Sequence, residues 1–266
     1  MRDGALIFAH ATAVDYVQMA QVAATLIHRH LDMPVCLVTD EPVDTAVFDQ
    51  VVVVPKPATI NQRNYWVDGK KQTAPWFNGT RSMAFDLSPW DRTLLIDADY
   101  FVMSANLKKL QKTNLGFACY TQAHDIRNTQ PIDVRAGQRH MAWATVCWFD
   151  RSEYAQNVFA MWQHVVKNWN YYNLINNFGK PGLRNDHALT VALETVNGHR
   201  SMFPVIPGSI ATVVPDTKLY DIRPNGTVLF DVDGKFSMTK NQDIHIVDKK
   251  IACDPLWLQQ LEQVHA

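Results

Sequence analysis

The sequence predicts an α/β domain with a mixed, mostly parallel central sheet flanked by helices, and three observations predict it. The N-terminal half alternates short apolar runs with a helix-periodic segment, which is the grammar of parallel strands joined by crossovers. The composition, 47% hydrophobic and 19% charged over 266 residues, supports a sizeable core and argues against disorder. Two carboxylates, Asp97 and Asp99, interrupt the apolar run "DRTLLIDADYFVMS" (91–104), and in parallel sheets the reactive groups gather at the carboxyl ends of the strands. With no internal repeat and no low-complexity segment, one domain over 1–266 is expected.

The elements follow in order. "ALIFAHA" is a short buried strand. "AVDYVQMAQVAATLIHRHL" has helical spacing, with Val14, Val17, Ala20, Ala24, Ile27 and Leu31 near one face. "PVCLVTD" and "FDQVVVVP" are the next two strands, the first ending in Asp40-Glu41. Residues 55–80 show no periodicity, carry three prolines and interleave basic residues with aromatics, so a long ordered loop or flap is expected there. "TRSMAFDLSP" is a short helix, "TLLIDADYFVM" one strand and "LGFACYTQ" another. Residues 122–142 are a second irregular stretch, with Arg127, Arg135, Arg139 and His140. "ATVCWFD" is a strand, "SEYAQNVFAMWQHVVKNW" a helix capped by Ser152, and "RNDHALTVALETV" a helix with Asn185 or Asp186 near its cap. "TVLFDVDGKFSM" and "DIHIVD" are β, and "PLWLQQLEQVHA" is a closing short helix.

The totals exclude some classes. A formal net charge of -1 does not fit a wholesale nucleic-acid binder. The four cysteines lack C-x-x-C spacing and read as buried free thiols in a reducing compartment. The N-terminal apolar run is too short for a signal peptide and no stretch is long enough to span a membrane, so a cytoplasmic location is expected. The sequons at Asn78 and Asn225 are then read as Asn-Gly turns.

Asp97 and Asp99, two residues apart on extended backbone, would point to one side. Like charges that close each favour protonation, and a divalent cation removes the conflict. Carboxylate oxygens suit Mg²⁺ or Mn²⁺, which bind through one or two carboxylates plus substrate phosphates. A second D-x-D, Asp231-Val-Asp233, is followed by Gly234 between β-like runs and reads as a hairpin turn.

The segment "GTRSMAFDLSPWDRTLLIDADYFVMSANLKKL" resembles the donor-site segment of GT-A glycosyltransferases, most closely the family 8, glycogenin-like enzymes. The resemblance implies a single GT-A-type, Rossmann-like domain. It also implies a nucleoside diphosphate sugar donor, UDP-linked as in that family, with Mn²⁺ or Mg²⁺ and retention at the anomeric carbon. Asp97 matches the motif aspartate that reaches ribose and metal, and Asp99 the one that holds the metal. Arg81 takes the basic position before the motif. "ALIFAHATAVDYVQMAQVAATLI" is similar to the opening nucleotide-binding strand and helix, with His10, Ala11, Thr12 and Tyr16 near the base. "LRNDHALTVAL" is similar to the family's D-Q segment, with Asp186 in place and His187 for Gln. "DIHIVDKKIACDPLW" is similar to the closing segment, with His245 as third metal ligand and Lys249 or Lys250 as diphosphate clamp, although the family's Lys-Pro-Trp is lost. "ATVCWFDRSE" departs from its family counterpart, Thr145, Val146 and Cys147 standing where an Asn-Gly pair is usual. The chain is also similar to uncharacterised glycosyltransferase-like proteins of tailed bacteriophages.

Other readings stay open for these residues. By default Asp186 is a helix N-cap, Lys249 and Lys250 are solvated charges, and Arg81 pairs with Asp86 on its own helix. The run Arg63, Tyr65, Trp66, Lys70, Lys71, Trp76 and Phe77 is a donor flap or an acceptor platform. The acceptor is a glycan, small molecule, protein or modified DNA base. A nucleotidyltransferase, a phosphatase of another fold and an inactive GT-A-like binding protein are the alternatives. The first usually has a Gly-rich loop that "FAHATAVDY" lacks.

Overall fold

The structure is a computed structural model that describes residues 1–10, 14–44, 46–56, 61–67, 70–77, 79–132, 141–179, 182–200, 203–215, 217–222, 227–255 and 258–259. The chain opens with strand β1 (Asp3–Phe8), helix α1 (Tyr16–Leu31), β2 (Val35–Thr39) and β3 (Gln50–Val53). A hairpin follows, β4 (Asn61–Val67) and β5 (Lys70–Trp76). Helix α2 (Ala84–Leu87), preceded by a 3₁₀ turn at Gly79–Met83, leads into β6 (Arg92–Asp97), β7 (Tyr100–Phe101), β8 (Phe117–Tyr120), β9 (Ala123–Asp125) and β10 (Trp143–Asp150). Helices α3 (Glu153–Lys167), α4 (Trp169–Asn176) and α5 (Asn185–Val196) come next. The chain then forms β11 (Ile210–Val213), β12 (Leu219–Ile222), β13 (Val228–Val232), β14 (Lys235–Thr239), β15 (Ile244–Ile246) and α6 (Lys249–Ala252).

The central sheet has the order β3-β2-β1-β6-β10-β8. The first four strands are mutually parallel; β10 runs against β6 and β8 against β10, so β8 points with the other four. This is the mixed, mostly parallel sheet that the alternating apolar runs predict. Period-2 alternation assigns its two faces. Ala5, Ile7, Val35, Leu37, Leu94, Ile96, Val146 and Trp148 pack with α1, while Leu6, Cys36, Val38, Leu95, Cys147 and Phe149 pack with α3 and α5. A second sheet, β7-β15-β11-β9, shares the α1 layer. Asp15 caps α1 by accepting from Gln18, and Ser152 caps α3 by accepting from Ala155, the latter as its position predicts. The cysteines are free thiols, with Cys36, Cys119 and Cys147 buried. No described helix is long and apolar enough to cross a membrane.

Three expectations need correction, and one short helix is added to them. Residues 61–76 are a hairpin and not an irregular loop. Asp68-Gly69, the dipeptide between its strands, is a hairpin signal that the lack of clean alternation obscured. "TLLIDADYFVM" is two strands, because the chain turns at Ala98–Asp99 and passes from the central sheet into the second sheet. Within 122–142, residues Ala123–Asp125 form β9 beside β11, and Asp125 pairs with Arg127 at 2.8 Å. The residues after "DIHIVD" form the short helix α6, with Asp248 as cap. The Asp231–Gly234 turn is as expected: Asp233 and Gly234 have φ of 52° and 78° between β13 and β14. Arg135, Arg139, His140, Asn78, Asn225 and most of "PLWLQQLEQVHA" lie outside the described residues.

One close approach fixes how β6 enters the sheet. Gly4 of β1 pairs with Thr93, and a Cβ on Gly4 would stand 2.3 Å from Trp90 Cε2. The Trp90 indole cannot simply move, because its Nε1 donates to the Ala5 carbonyl at 3.0 Å. Gly4→Ala therefore overpacks this corner and should cost about 1–3 kcal/mol. A melting temperature several degrees below wild type is the expected readout, and an unchanged one would contradict the packing described.

Candidate active site

The two aspartates lie where one sheet hands the chain to the other. Asp97 is the last residue of β6, and Asp99 precedes β7. The Asp99 carbonyl accepts from Ile246 N at 3.0 Å, and His245 pairs with Tyr100 across β15 and β7. His245 alternates with Ile244 and Ile246, both fully buried, so its ring faces the other way, toward the aspartates. One ligand atom each from Asp97, Asp99 and His245 lie within 4.8 Å of one another. His245 Nε2 is 3.6 Å from Asp99 Oδ1. Its Nδ1 is buried, with no hydrogen-bond partner among the described residues.

The surroundings compensate this charge with basic residues. Arg81 is buried and its Nη1 is 2.9 Å from Asp97 Oδ1. The same guanidinium donates to the Ala144 carbonyl at 3.1 and 2.6 Å, to Thr145 at 3.2 Å and to Ile96 at 3.3 Å. The Ala144 and Thr145 carbonyls lie in an irregular stretch of β10. Its register against β8 shifts between Trp143 and Cys147, so 144–146 leave that ladder. The Ala144 N–H, on the same strand, donates to Asp186 Oδ1 at 3.0 Å. Arg184 holds the other Asp186 oxygen at 3.3 Å. Lys249 Nζ contacts Asp99 Oδ2 and donates to the Ile246 carbonyl at 3.3 Å.

Burial pushes the Asp97 carboxyl above the usual carboxylate range; Arg81 pulls it down, and Asp99 pushes it up again. Nearby, burial also raises Asp243 to about 6, against the hydrogen bond that its Oδ1 accepts from Met103 N at 2.8 Å. A group of two carboxylates and an imidazole that resists its own negative charge suits a hard divalent cation. The buried, unsatisfied Nδ1 of His245 agrees with that fit.

A second cluster sits at the carboxyl ends of β1 to β3. His10 Nε2 is 2.8 Å from Thr80 Oγ1, and its Nδ1 is 3.6 Å from Asp40 Oδ1. Lys56 pairs with Asp40 at 3.0 Å and lies over the Phe77 ring at 4.9 Å. Burial lowers the His10 pKa, Asp40 opposing, which favours the neutral ring. Asp40, Lys56 and Thr80 escaped the motif reading; the position of Asp40 directly after the strand "PVCLVT" is the signal that could have found it.

Several sequence expectations change at this level. Arg81 pairs with Asp97 and not with Asp86, which accepts from Gln163 at 2.8 Å. Asp186 is not the cap of α5: Arg184 occupies the cap, and Asp186 reaches β10 from the first turn. Lys249 is 1% exposed and not a solvated surface charge, whereas Lys250 is exposed. The His187 ring lies 4.5 Å from that of Phe178, tilted by 30°, inside the apolar layer of α3 and α5. Tyr16 opens α1, half-buried against the core. Ala11 and Thr12 lie outside the described residues, as do the side chains of Arg63, Tyr65, Trp66 and Trp76.

No protein-family model matches the chain, and no curated protein matches it. Among solved structures it is similar to the apo form of the glycosyltransferase GlyE of Streptococcus pneumoniae TIGR4, with 13% identity and a TM-score of 0.41 over 77% of this chain and 45% of that one. It is similar to the galactosyltransferase LgtC in complex with donor and acceptor sugar analogues, with 13% identity and a TM-score of 0.44 over 72% of this chain and 70% of that one. A bifunctional glycosyltransferase, WbbM, gives 13% identity and a TM-score of 0.36 over 62% and 34%. The chain thus spans less than half the length of the GlyE chain. At these identities and TM-scores the likeness assigns neither fold nor activity.

Arg81 ties Asp97, β6 and the β10 bulge together. Arg81→Met would strand a carboxylate and at least two buried carbonyls. Breaking a buried pair from one side costs roughly 3–5 kcal/mol, and the one-third exposure of Asp97 places this pair at the lower end. In urea unfolding, Asp97→Asn in the Arg81→Met background should cost much less than Asp97→Asn alone. Additive losses would contradict the coupling.

Proposed function

We propose that the chain is a GT-A-type glycosyltransferase that moves a sugar from a nucleoside diphosphate sugar to an acceptor with retention, and that it depends on Mn²⁺ or Mg²⁺. The observation that carries this reading is the convergence of Asp97, Asp99 and His245 at the carboxyl end of β6. These are the three residues that the sequence resemblance to family 8 enzymes selects, and the third lies far along the chain from the first two. UDP is the nucleotide that the resemblance favours.

In this reading Asp97, Asp99 and His245 hold the cation. When bound, it neutralises charge that grows on the leaving diphosphate. Arg81 orients Asp97 through the fork of donors it extends to β10. Lys249 and Lys250 stand beside the same mouth as diphosphate partners, Lys acting as a point charge. Asp186 places a carboxylate near Asp97, where it favours positive charge developing on the sugar. His10 and Tyr16 serve the nucleotide base, the role that the resemblance also implies for Ala11 and Thr12. The hairpin β4–β5 covers the donor or receives the acceptor. Fold and site serve one domain, and the donor binds across its strand ends.

Thermal unfolding against UDP, GDP, ADP and CDP, each with and without Mn²⁺, tests this. A ligand at 100 times its Kd adds about 2.7 kcal/mol. One nucleotide should stabilise the protein only with metal, and Asp99→Ala should abolish the effect. Stabilisation that ignores metal would favour a metal-free nucleotide-binding protein, a reading that the Lys249–Asp99 contact keeps in view. No response to any nucleotide would sink the donor-site assignment.

A further inference from the structure

The carboxylates of the candidate metal group are not waiting as bare negative charges. Asp99 Oδ2 is in contact with Lys249 Nζ, both groups being buried. Asp97 Oδ1 is 2.9 Å from Arg81 Nη1. Asp186, whose charge acts on Asp97, is paired with Arg184 at 3.3 Å. Asp97, Asp99 and Asp186 therefore each have a basic partner among the described residues, and the three pairs sum to zero formal charge. Asp248, directly before Lys249 in the chain, accepts from the N–H groups of Lys250 and Ile251 at 2.9 and 3.4 Å.

Lys249 is held there by its backbone. It is the first residue of α6, directly after the Asp248 cap, and α6 follows β15, which carries His245. A dication arriving alone would meet carboxylates already neutralised and would stand close to the cations of Lys249 and Arg81. In a site of low effective dielectric that repulsion is strong. An ion that arrives with a diphosphate brings the missing negative charge, and the flexible Lys stem can then turn its ammonium from Asp99 to a phosphate oxygen.

Resting on the metal-site reading above, we propose that Lys249, with Arg81, is an internal counter-cation that makes divalent-metal binding at Asp97, Asp99 and His245 depend on an accompanying diphosphate. The metal enters as a metal–nucleotide pair and not alone. Lys249 is then a positioning residue for the metal, acting through Asp99. If the Lys249–Asp99 contact were only a structural ion pair, removing it would change stability and leave the order of metal and nucleotide binding untouched.

The test is a titration of the full chain with Mn²⁺, reading free Mn²⁺ by electron paramagnetic resonance, without nucleotide and with UDP, against protein-free blanks. Wild type should take up Mn²⁺ weakly alone. Lys249→Met should tighten nucleotide-free Mn²⁺ binding by about tenfold or more, which corresponds to about 1.4 kcal/mol. Lys249→Arg, which keeps the charge, should behave as wild type, and Asp99→Ala should abolish uptake in every background. If Lys249→Met does not fold, Lys249→Gln carries the same expectation. Tight Mn²⁺ binding by wild type without nucleotide, or an unchanged nucleotide-free affinity in a folded Lys249→Met or Lys249→Gln, overturns the counter-cation role while leaving the metal site standing. Absence of Asp99-dependent Mn²⁺ uptake under all conditions, in wild type and variants alike, overturns both.

Discussion

Two carboxylates at the rim of an apolar sheet must be compensated, and much of the architecture around Asp97 and Asp99 is that compensation. Burying charge costs several kcal/mol per ion unless partners are supplied. Here the partners come from every side. The 3₁₀ turn before α2 sends in Arg81, β15 sends His245 and α6 sends Lys249. The β10 bulge belongs to the same solution. Where its register against β8 shifts, the Ala144 carbonyl accepts from Arg81 and the Ala144 N–H donates to Asp186.

This dependence explains why the turn at Ala98–Asp99 matters more than the strand around it. A continuous strand would keep both aspartates on one ladder. The turn instead leaves Asp97 on the central sheet and delivers Asp99 to the second sheet, where β15 and α6 can reach it. The mouth is therefore a seam between two sheets. A second polar group, His10 with Asp40 and Lys56, lines the carboxyl ends of β1 to β3 on the same central sheet. Strand ends of this kind are where open α/β sheets bind their ligands.

Much of this was legible in the sequence, for identifiable reasons. The central strands announce themselves because both faces are buried, so "ALIF", "VCLV" and "TLLI" are nearly continuous apolar runs. Asp97, Asp99 and His245 stand out because charge and imidazole interrupt such runs, and a family pattern joins them across the chain. The turn at residue 98 was hidden because the residues on both sides are equally apolar. The hairpin was hidden because its strands do not alternate cleanly, although Asp68-Gly69 marks it. Lys249 could not be told from Lys250 by sequence. Two adjacent lysines look alike until the Asp248 cap sets the phase of α6 and turns the first one inward. The pairing of Arg81 with Asp97 was equally out of reach, because it depends on how the turn at Gly79–Met83 meets the end of β6, which no residue type declares.

The central claim is that Asp97, Asp99 and His245 share one cation with a nucleotide diphosphate. The most direct measurement is anomalous diffraction at the manganese edge from crystals grown with Mn²⁺ and the stabilising nucleotide. The account predicts a single strong peak in direct contact with all three side chains, with the diphosphate on its open side. A peak elsewhere, or nucleotide density at the strand ends with Lys249 still on Asp99 and no ion between them, would contradict it.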